Sequence, residues 1–534
     1  MEEIIENWLN DSDAELISDS DEEEVDDSDK DPDWNDGENY EDIGEEIEVE
    51  HFENERAEVE NNIQNETRTL TWGPVIGNLN NIQYNPHNLE VGINSDIMET
   101  MTDCLPIDFY GLFLDEEILD FLIIETNRYA SQSLRNRKLK AYSRLKKWTP
   151  IDRTEMRNFL GLVMWMGLVN MPSLVDYWRK DILYANKVTE VMSRNRFELI
   201  LSMFHCSNNE KPEHGRLDKI QKLVDLLVFN FQKWYIPEEV LCIDESVVPF
   251  IGRLIFRQYL KNKTHRYGIK IFKLCAKDFY TLQYNIYAGK EAVRETNVSH
   301  KIVLKLLKPY LNFGRCLFID NWYSSVELAE KLNCENTHVV GTLRANRRGN
   351  SRDVISKKLK KGELFAQQSN SNIVVMKWRD KRDIYLITTK HTDETIEIRR
   401  RTGDVIKKPL AVEDYNVGKS FIDRSDQMSS YSSPLKRSIK WYRKVAFDIL
   451  LSTSVVNALS LYKSVTMNNI TITRFKEEII KPLLFKPTVP ALPVTPTSHK
   501  LISCGNLKNC VKNAIQGCHL NLEGKWHKIK QGKY

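Results

Sequence analysis

Residues 240–244 read VLCID and residues 315–320 read RCLFID. Each is a short apolar run of strand-forming residues that closes on an aspartate. Runs of this length without polar alternation suit strands buried on both faces, in the interior of a sheet. A carboxylate beside a buried strand is costly unless it is paired, hydrogen-bonded or bound to a cation. Two strands of one sheet that both end in Asp would converge Asp244 and Asp320 at one edge. Asp at a strand end is also an ordinary turn or cap residue, so the pattern alone leaves both readings open.

Outward from these two runs, residues 267–276 and 280–288 read as strands of a hairpin turning around Lys277 and Asp278. Residues 299–311 carry Ile302, Leu306 and Tyr310 on one helical face, 325–332 read as a second helix, and 338–343 as another strand. The order strand, hairpin, helix, strand, helix, strand predicts an α/β fold, a central mixed sheet with helices on its faces. Upstream the periodicity is helical. Asp152 and Glu155 form a capping-box pattern ahead of Met156, Phe159, Leu160 and Val163. Ser193 opens a second helix with Phe197, Ile200, Leu201 and Phe204, and 217–234 form a third before Pro237. Downstream, 374–378, 384–388 and 395–399 alternate as strands. A short helix is expected near 423–430 and a long one over 441–462.

The expected organisation follows from these shifts. It is an acidic tail over 1–66, a poorly ordered linker over 67–105, and a helical domain from 106–238 and 431–480. An α/β core spans 239–347 and 411–430, interrupted by a β-rich insertion over 348–410. A Pro-rich linker over 481–502 leads to a basic, Cys-containing end over 503–534. The formal net charge of −1 hides a sharp asymmetry: residues 1–66 hold 29 of the 76 acidic residues and 2 of the 75 basic ones, a net of −27 against +26 in the remainder. So acidic and apolar-poor a segment is expected to be disordered. The body is basic enough to attract a polyanion, although Lys-rich faces are also common as plain solvated surface.

The longest nearly unbroken apolar run, residues 159–169, is 11 long, short of the ~20 needed to cross a bilayer. The opening MEEIIENWLNDSD lacks the basic and apolar regions of a secretory leader. Nine cysteines, widely spaced and without a CxxC, argue for a reducing compartment rather than a disulfide framework. No phosphate-cradling glycine loop and no HExxH occur. His205, His265 and His300 read as satisfied histidines, and Cys242 as a packing residue. Asp423 and Asp426 lie three apart, so on a helix they share a face. A carboxylate cluster built from Asp244, Asp320 and one of these suits Mg²⁺, which takes oxygen ligands and serves phosphodiester chemistry.

Four stretches resemble the piggyBac family of transposases and their domesticated, transposable-element-derived relatives. They are MSRNRFELILSMFHCSNN (192–209), LCIDESVVPFIGRLIFRQYLKNKTHRYGIKIFKLC (241–275), CLFIDNWYSSVELAEKL (316–332) and IDRSDQMSSYSSPLKRSIKWYRKV (422–445). The resemblance covers about residues 106–470. It implies a ribonuclease-H-like mixed-sheet catalytic core with a β-rich insertion, flanked by an α-helical dimerisation and DNA-binding domain. By motif the catalytic aspartates fall on Asp244, Asp320 and Asp423, with Asp426 as an additional acid. The first three would hold Mg²⁺ or Mn²⁺.

The chemistry so implied is cut-and-paste DNA transposition: nicking at an element end, attack of the freed 3′-OH on the opposite strand to form a hairpin, and joining at a TTAA target. The implied partners are double-stranded DNA and a second copy of the chain, in the nucleus and with no membrane; the acidic tail would suit chromatin factors. Trp322 directly follows the second acid and suits either the DNA end or core packing. Arg253, Lys270, Arg344, Arg347 and Arg348 are candidate phosphate contacts, as are Lys436, Arg437, Lys440, Arg443 and Lys444 at a helix start. Members of the family usually end in a zinc-held Cys/His module. Here Cys504, Cys510, Cys518, His519 and His527 are spaced C-x5-C-x7-C-H-x7-H, without the paired ligands of a tetrahedral site. Zinc binding is therefore doubtful, and an alternative reading is a domesticated, sequence-specific DNA-binding protein without transposition activity.

Overall fold

The computed structural model describes residues 70–485, apart from 78–80, 87–88, 137, 140, 214, 261–264, 290–296, 400–404 and 436–439. The acidic tail, Lys436, Arg437 and the C-terminal segment with Cys504, Cys510, Cys518 and His519 lie outside the described residues.

In chain order the strands are β1 (Trp72–Gly73), β2 (Gly92–Ile93), β3 (Tyr235–Ile236), β4 (Val240–Pro249), β5 (Gln258–Tyr259), β6 (Tyr267–Ala276), β7 (Thr281–Ile286), β8 (Cys316–Ile319), β9 (His338–Thr342), β10 (Leu364–Ser369), β11 (Val374–Arg379), β12 (Asp383–Thr388), β13 (Thr395–Arg399) and β14 (Val405–Pro409). Ten of them form one sheet in the order β1-β10-β11-β12-β9-β8-β4-β6-β5, with β7 also on β6. Only β4–β8 and β8–β9 are parallel pairs. Each of those connections carries a helix, as a parallel crossover requires.

The helices used below are α1 (Pro106–Gly111), α2 (Glu116–Asn136), α3 (Arg153–Leu168), α4 (Arg194–Met203), α5 (Asp218–Trp234), α6 (Val298–Leu307), α7 (Val326–Cys334), α8 (Leu410–Ser430), α9 (Trp441–Asp448), α10 (Ser454–Thr466) and α11 (Ile472–Leu484). Asp152 caps α3 by accepting the Glu155 N–H at 2.7 Å, and Ser193 caps α4. Glu155 itself turns to Arg196 rather than closing the reciprocal half of the capping box. The two helical stretches meet: Phe109 of α1 packs edge-on against Tyr462 of α10 at 5.3 Å, and Tyr110 donates to the Leu450 carbonyl at 3.1 Å. Gly161 of α3 lets Leu483 and Leu484 of α11 approach closely, since a Cβ there would meet Leu484 at 2.8 Å.

The sheet separates two apolar layers. Leu241, Ile243, Leu317 and Ile319 join the main core on one face. Cys242, Cys275, Cys316 and Phe318 face the other way, against Ala411, Val412, Tyr415 and Ile422 of α8. Gly418 completes that contact, because a Cβ there would lie 2.4 Å from the Phe318 ring. The run Trp441–Thr466 is long and apolar enough to cross a membrane by composition, but 94% of its most apolar window is buried inside the protein. A π-helical turn, Ile449–Thr453, interrupts it.

Three expectations need correction. Part of the proposed linker is docked: β1 pairs with the edge strand β10, β2 with β3, and Asn85 donates to the Phe313 carbonyl at 2.9 Å. Short edge pairings leave no periodicity to read. The presumed insertion is largely continuous with the central sheet, since β12 pairs with β9 and carries β11 and β10 with it; only β13 and β14 form a separate hairpin. The short helix near 423–430 is the last part of the 21-residue α8.

Candidate active site

β4 and β8 run in parallel register, with Ile243 opposite Ile319. The next residues are Asp244 and Asp320. The register therefore sets these two acids side by side, with backbones about one strand spacing, ~4.8 Å, apart. Asp244 is 8% exposed, and its Oδ1 accepts the Glu245 N–H at 2.8 Å. Asp320 begins the turn into α7. Thr342, at the end of β9, donates its hydroxyl to Asp320 Oδ1 at 2.7 Å, and Tyr415 of α8 reaches the same oxygen at 3.5 Å. These hydroxyls orient the carboxylate. No described Lys or Arg forms an ion pair with Asp320.

Helix α8 crosses this edge of the sheet and brings Asp423, which is exposed. The thiol of Cys242 is pushed well up, first by burial and then by the negative fields of Asp244, Cys275 and Asp423. The Tyr415 phenol is likewise raised by burial, with Asp320 and Asp244 adding to it. One buried group thus senses Asp244 together with Asp423, and another senses Asp244 together with Asp320. Among the described residues no three carboxylate, imidazole or thiol groups stand close enough to hold one ion. The arrangement is a carboxylate pair with a third acid on the neighbouring helix.

Asp426 has other engagements. It accepts the Ser246 hydroxyl at 2.7 Å and pairs with the Lys273 ammonium at 2.8 Å. Lys273 is 2% exposed. Burial opposes its charge, but Asp426, Tyr284 and Asp448 outweigh that and hold its pKa well above the ordinary value. Sequence reasoning missed Lys273, although the signal was present. In KIFKLCA the strand alternation places Lys273 on the face of Ile271 and Cys275, where a charge needs a partner.

The remaining candidates divide into surface and interior. Arg253 and Arg348 are exposed. Lys270 stands 4.8 Å from the Trp322 ring centre, and Trp322 stacks on Phe272 at 5.6 Å with an interplanar angle of 16°. Arg344 donates to the Asn321 side chain at 3.2 Å. Arg347 donates to the carbonyls of Asn321 and Trp322, so both arginines brace the turn that follows Asp320. Lys440 is half-buried at the start of α9. Arg443 and Lys444 are not surface contacts. They are 5% and 6% exposed, and Arg443 donates to the Phe204 and Ser202 carbonyls at the end of α4. His205 is buried between Tyr129, Tyr442 and Asn209.

The donor type, though not an assembled three-ligand set, suits a hard divalent cation. Carboxylate oxygens are what Mg²⁺ and Mn²⁺ take. The Tyr323 hydroxyl is buried without a hydrogen-bond partner, and it lies in the field of Glu245, Asp244 and Asp320. A buried hydroxyl beside carboxylates calls for a polar partner, which the water shell of a bound cation would supply.

A family model described as Transposase IS4 matches residues 105–459. Human PiggyBac transposable element-derived protein 2 is 25% identical over 376 residues, 67% of this chain and 61% of its own length. Human PiggyBac transposable element-derived protein 3 is 24% identical over 396 residues, 70% of this chain and 64% of its own length. The chain thus spans less than two thirds of either relative. A cryo-EM structure of a piggyBac transposase synaptic complex with hairpin DNA shares the fold, with a TM-score of 0.65 and 23% identity over 74% of this chain and 83% of that one. With well over half of its length inside the transposase model and these relatives beside it, the chain belongs to the piggyBac family of transposases and transposable-element-derived proteins.

Proposed function

We propose that this chain is a metal-dependent DNA transposase, cleaving and joining phosphodiester bonds at Asp244, Asp320 and Asp423. The observation that carries the proposal is the parallel register of β4 and β8, which aligns Asp244 with Asp320 at the edge crossed by α8. Mg²⁺ or Mn²⁺ bound by these three acids would polarise phosphodiester oxygens and offset developing negative charge. Thr342 and Tyr415 hold the Asp320 carboxylate in one orientation. Trp322 and Lys270 present an aromatic face and a positive charge next to the acids, a combination suited to a DNA end. The hairpin DNA held by the similar piggyBac synaptic complex is in keeping with a reaction in which a freed 3′-OH attacks the opposite strand before joining at TTAA. Double-stranded DNA, a second copy of the chain, a nuclear location and chromatin contacts through the acidic tail belong to the same proposal.

A second reading has its own observation. The net charge of +26 outside residues 1–66 would by itself serve a domesticated DNA-binding protein that no longer cuts. One experiment separates the two. The full chain is incubated with terminal-repeat duplex and Mg²⁺ or Mn²⁺, beside Asp320→Ala. Metal-dependent nicking that vanishes in the variant while duplex binding persists supports the enzyme. Binding without nicking in either protein supports the second reading.

A further inference from the structure

Of the four buried lysines among the described residues, Lys273 and Lys476 are the least exposed, at 2% and 0%. Buried lysines are rare and costly, and each must be paired or hydrogen-bonded to persist. Both converge on α8. Lys273 comes from β6 in the sheet and binds Asp426, one turn beyond Asp423. Lys476 comes from α11 in the helical part and donates to the carbonyls of Tyr431 at 2.7 Å and Ser432 at 3.2 Å, just past the C-terminus of α8. A cation there also complements the helix dipole. The same carbonyl of Ser432 is hemmed in from α3, where a Cβ on Gly167 would come within 2.5 Å of it. The extended backbone of Tyr431 ends the helix, and Ser432 after it takes a left-handed conformation, φ 53°. Asp448, from α9, lies between the two ammonium groups electrostatically: burial pushes its carboxyl up to about 6, Lys273 and Lys476 pull it down, and Asp426 opposes them.

We propose that Lys273 and Lys476 are positioning residues, one from each part of the protein, that fix the last two turns of α8 and so set where Asp423 stands relative to Asp244 and Asp320. Neither touches the reacting atoms. The inference rests on the metal-site reading above and adds what holds its third acid. It explains why two desolvated charges are kept inside the protein. The helical part thereby reaches the site through the ammonium of Lys476 on the end of α8.

The test is Mn²⁺ binding to the DNA-free full chain, followed by calorimetry together with denaturant unfolding. Lys476→Met and Lys273→Met should each weaken Mn²⁺ binding about tenfold, the order found when a partner that orients a metal ligand is removed. Lys476→Arg, which keeps the donor, should recover most of the affinity. Mn²⁺ affinity is measured well below the unfolding midpoint of each variant, so that it reports on folded protein. Wild-type Mn²⁺ affinity in both methionine variants would overturn the proposal, as would weakened binding that only follows a lowered midpoint. Asp244→Asn is the control for the underlying reading: if it binds Mn²⁺ as the wild type does, the site itself is wrong and the inference falls with it.

Discussion

His205 shows how far a single residue can depart from its ordinary chemistry here. It stacks on Tyr129 at 4.2 Å and holds Tyr442 and Asn209 through its two ring nitrogens. Burial pushes its pKa down to about 3, although the Asn209 hydrogen bond opposes this, and the charges of Arg443 and Lys219 add to the lowering. The folded value lies below the unfolded one near 6.5, so the neutral ring contributes stability above pH 6.5. That stability is lost as pH falls toward 3, at about 1.4 kcal/mol per pH unit for one proton. In His205→Gln the unfolding free energy between pH 6 and 4 should lose that slope, measured by denaturant unfolding at each pH. A slope equal to the wild type's would mean that other groups carry the acid sensitivity. At this scale the sequence was legible in part. VLCID and RCLFID mark Asp244 and Asp320 as special. Nothing local announces that Thr342 and Tyr415 would share one oxygen of Asp320, because those contacts are made 22 and 95 residues away.

At the scale of elements, α8 is the part on which the site depends. Its apolar positions Ala411, Tyr415, Gly418 and Ile422 repeat at helical spacing, and that repeat predicts a longer helix than the motif around Asp423 suggests. Gly418 sets how closely the helix approaches β8. Gly418→Ala would place a methyl 2.4 Å from Phe318, with no room to yield in a packed layer. It should cost roughly 1–3 kcal/mol, read as a lower denaturation midpoint, and should weaken metal-dependent nicking by moving Asp423. An unchanged midpoint would mean that α8 rides freely over the sheet. The basic helix start was misread for a related reason. Arg443 and Lys444 look like a surface patch in the sequence, yet α9 begins there and turns both inward, Arg443 onto the end of α4 and Lys444 beside the Phe250 ring. Charge in a sequence gives no direction until the packing partner of the helix is known. The strands over 374–378 and 384–388 are found where the sequence suggests them and β10 is not, and their membership of the main sheet depends on β12 finding β9, a pairing that no local pattern encodes.

For the whole molecule the decisive quantity is the division of charge, −27 on residues 1–66 against +26 on the rest. A tethered polyanion competes with DNA for the same basic surface at high effective concentration. Removing residues 1–66 should tighten non-specific duplex binding at low salt, and the gain should shrink as salt screens both interactions. Equal affinities of full and shortened chains at low ionic strength would refute this.

The edge pairing of β1 with β10 also bears on how the chain is made. Ile76, beside β1, bonds Gln368 across 292 residues of sequence. At about 5–20 residues per second a ribosome needs roughly 15–60 seconds to cover that distance. Throughout that interval the early segment has left the exit tunnel with nothing to pair with, and β10 has yet to be synthesised. The strands of the β4-β6-β5 side are made first, and the β1–β10 edge forms only when most of the chain has been translated. Holdase chaperones that shield unpaired strands should bind this nascent chain until about residue 370 has emerged.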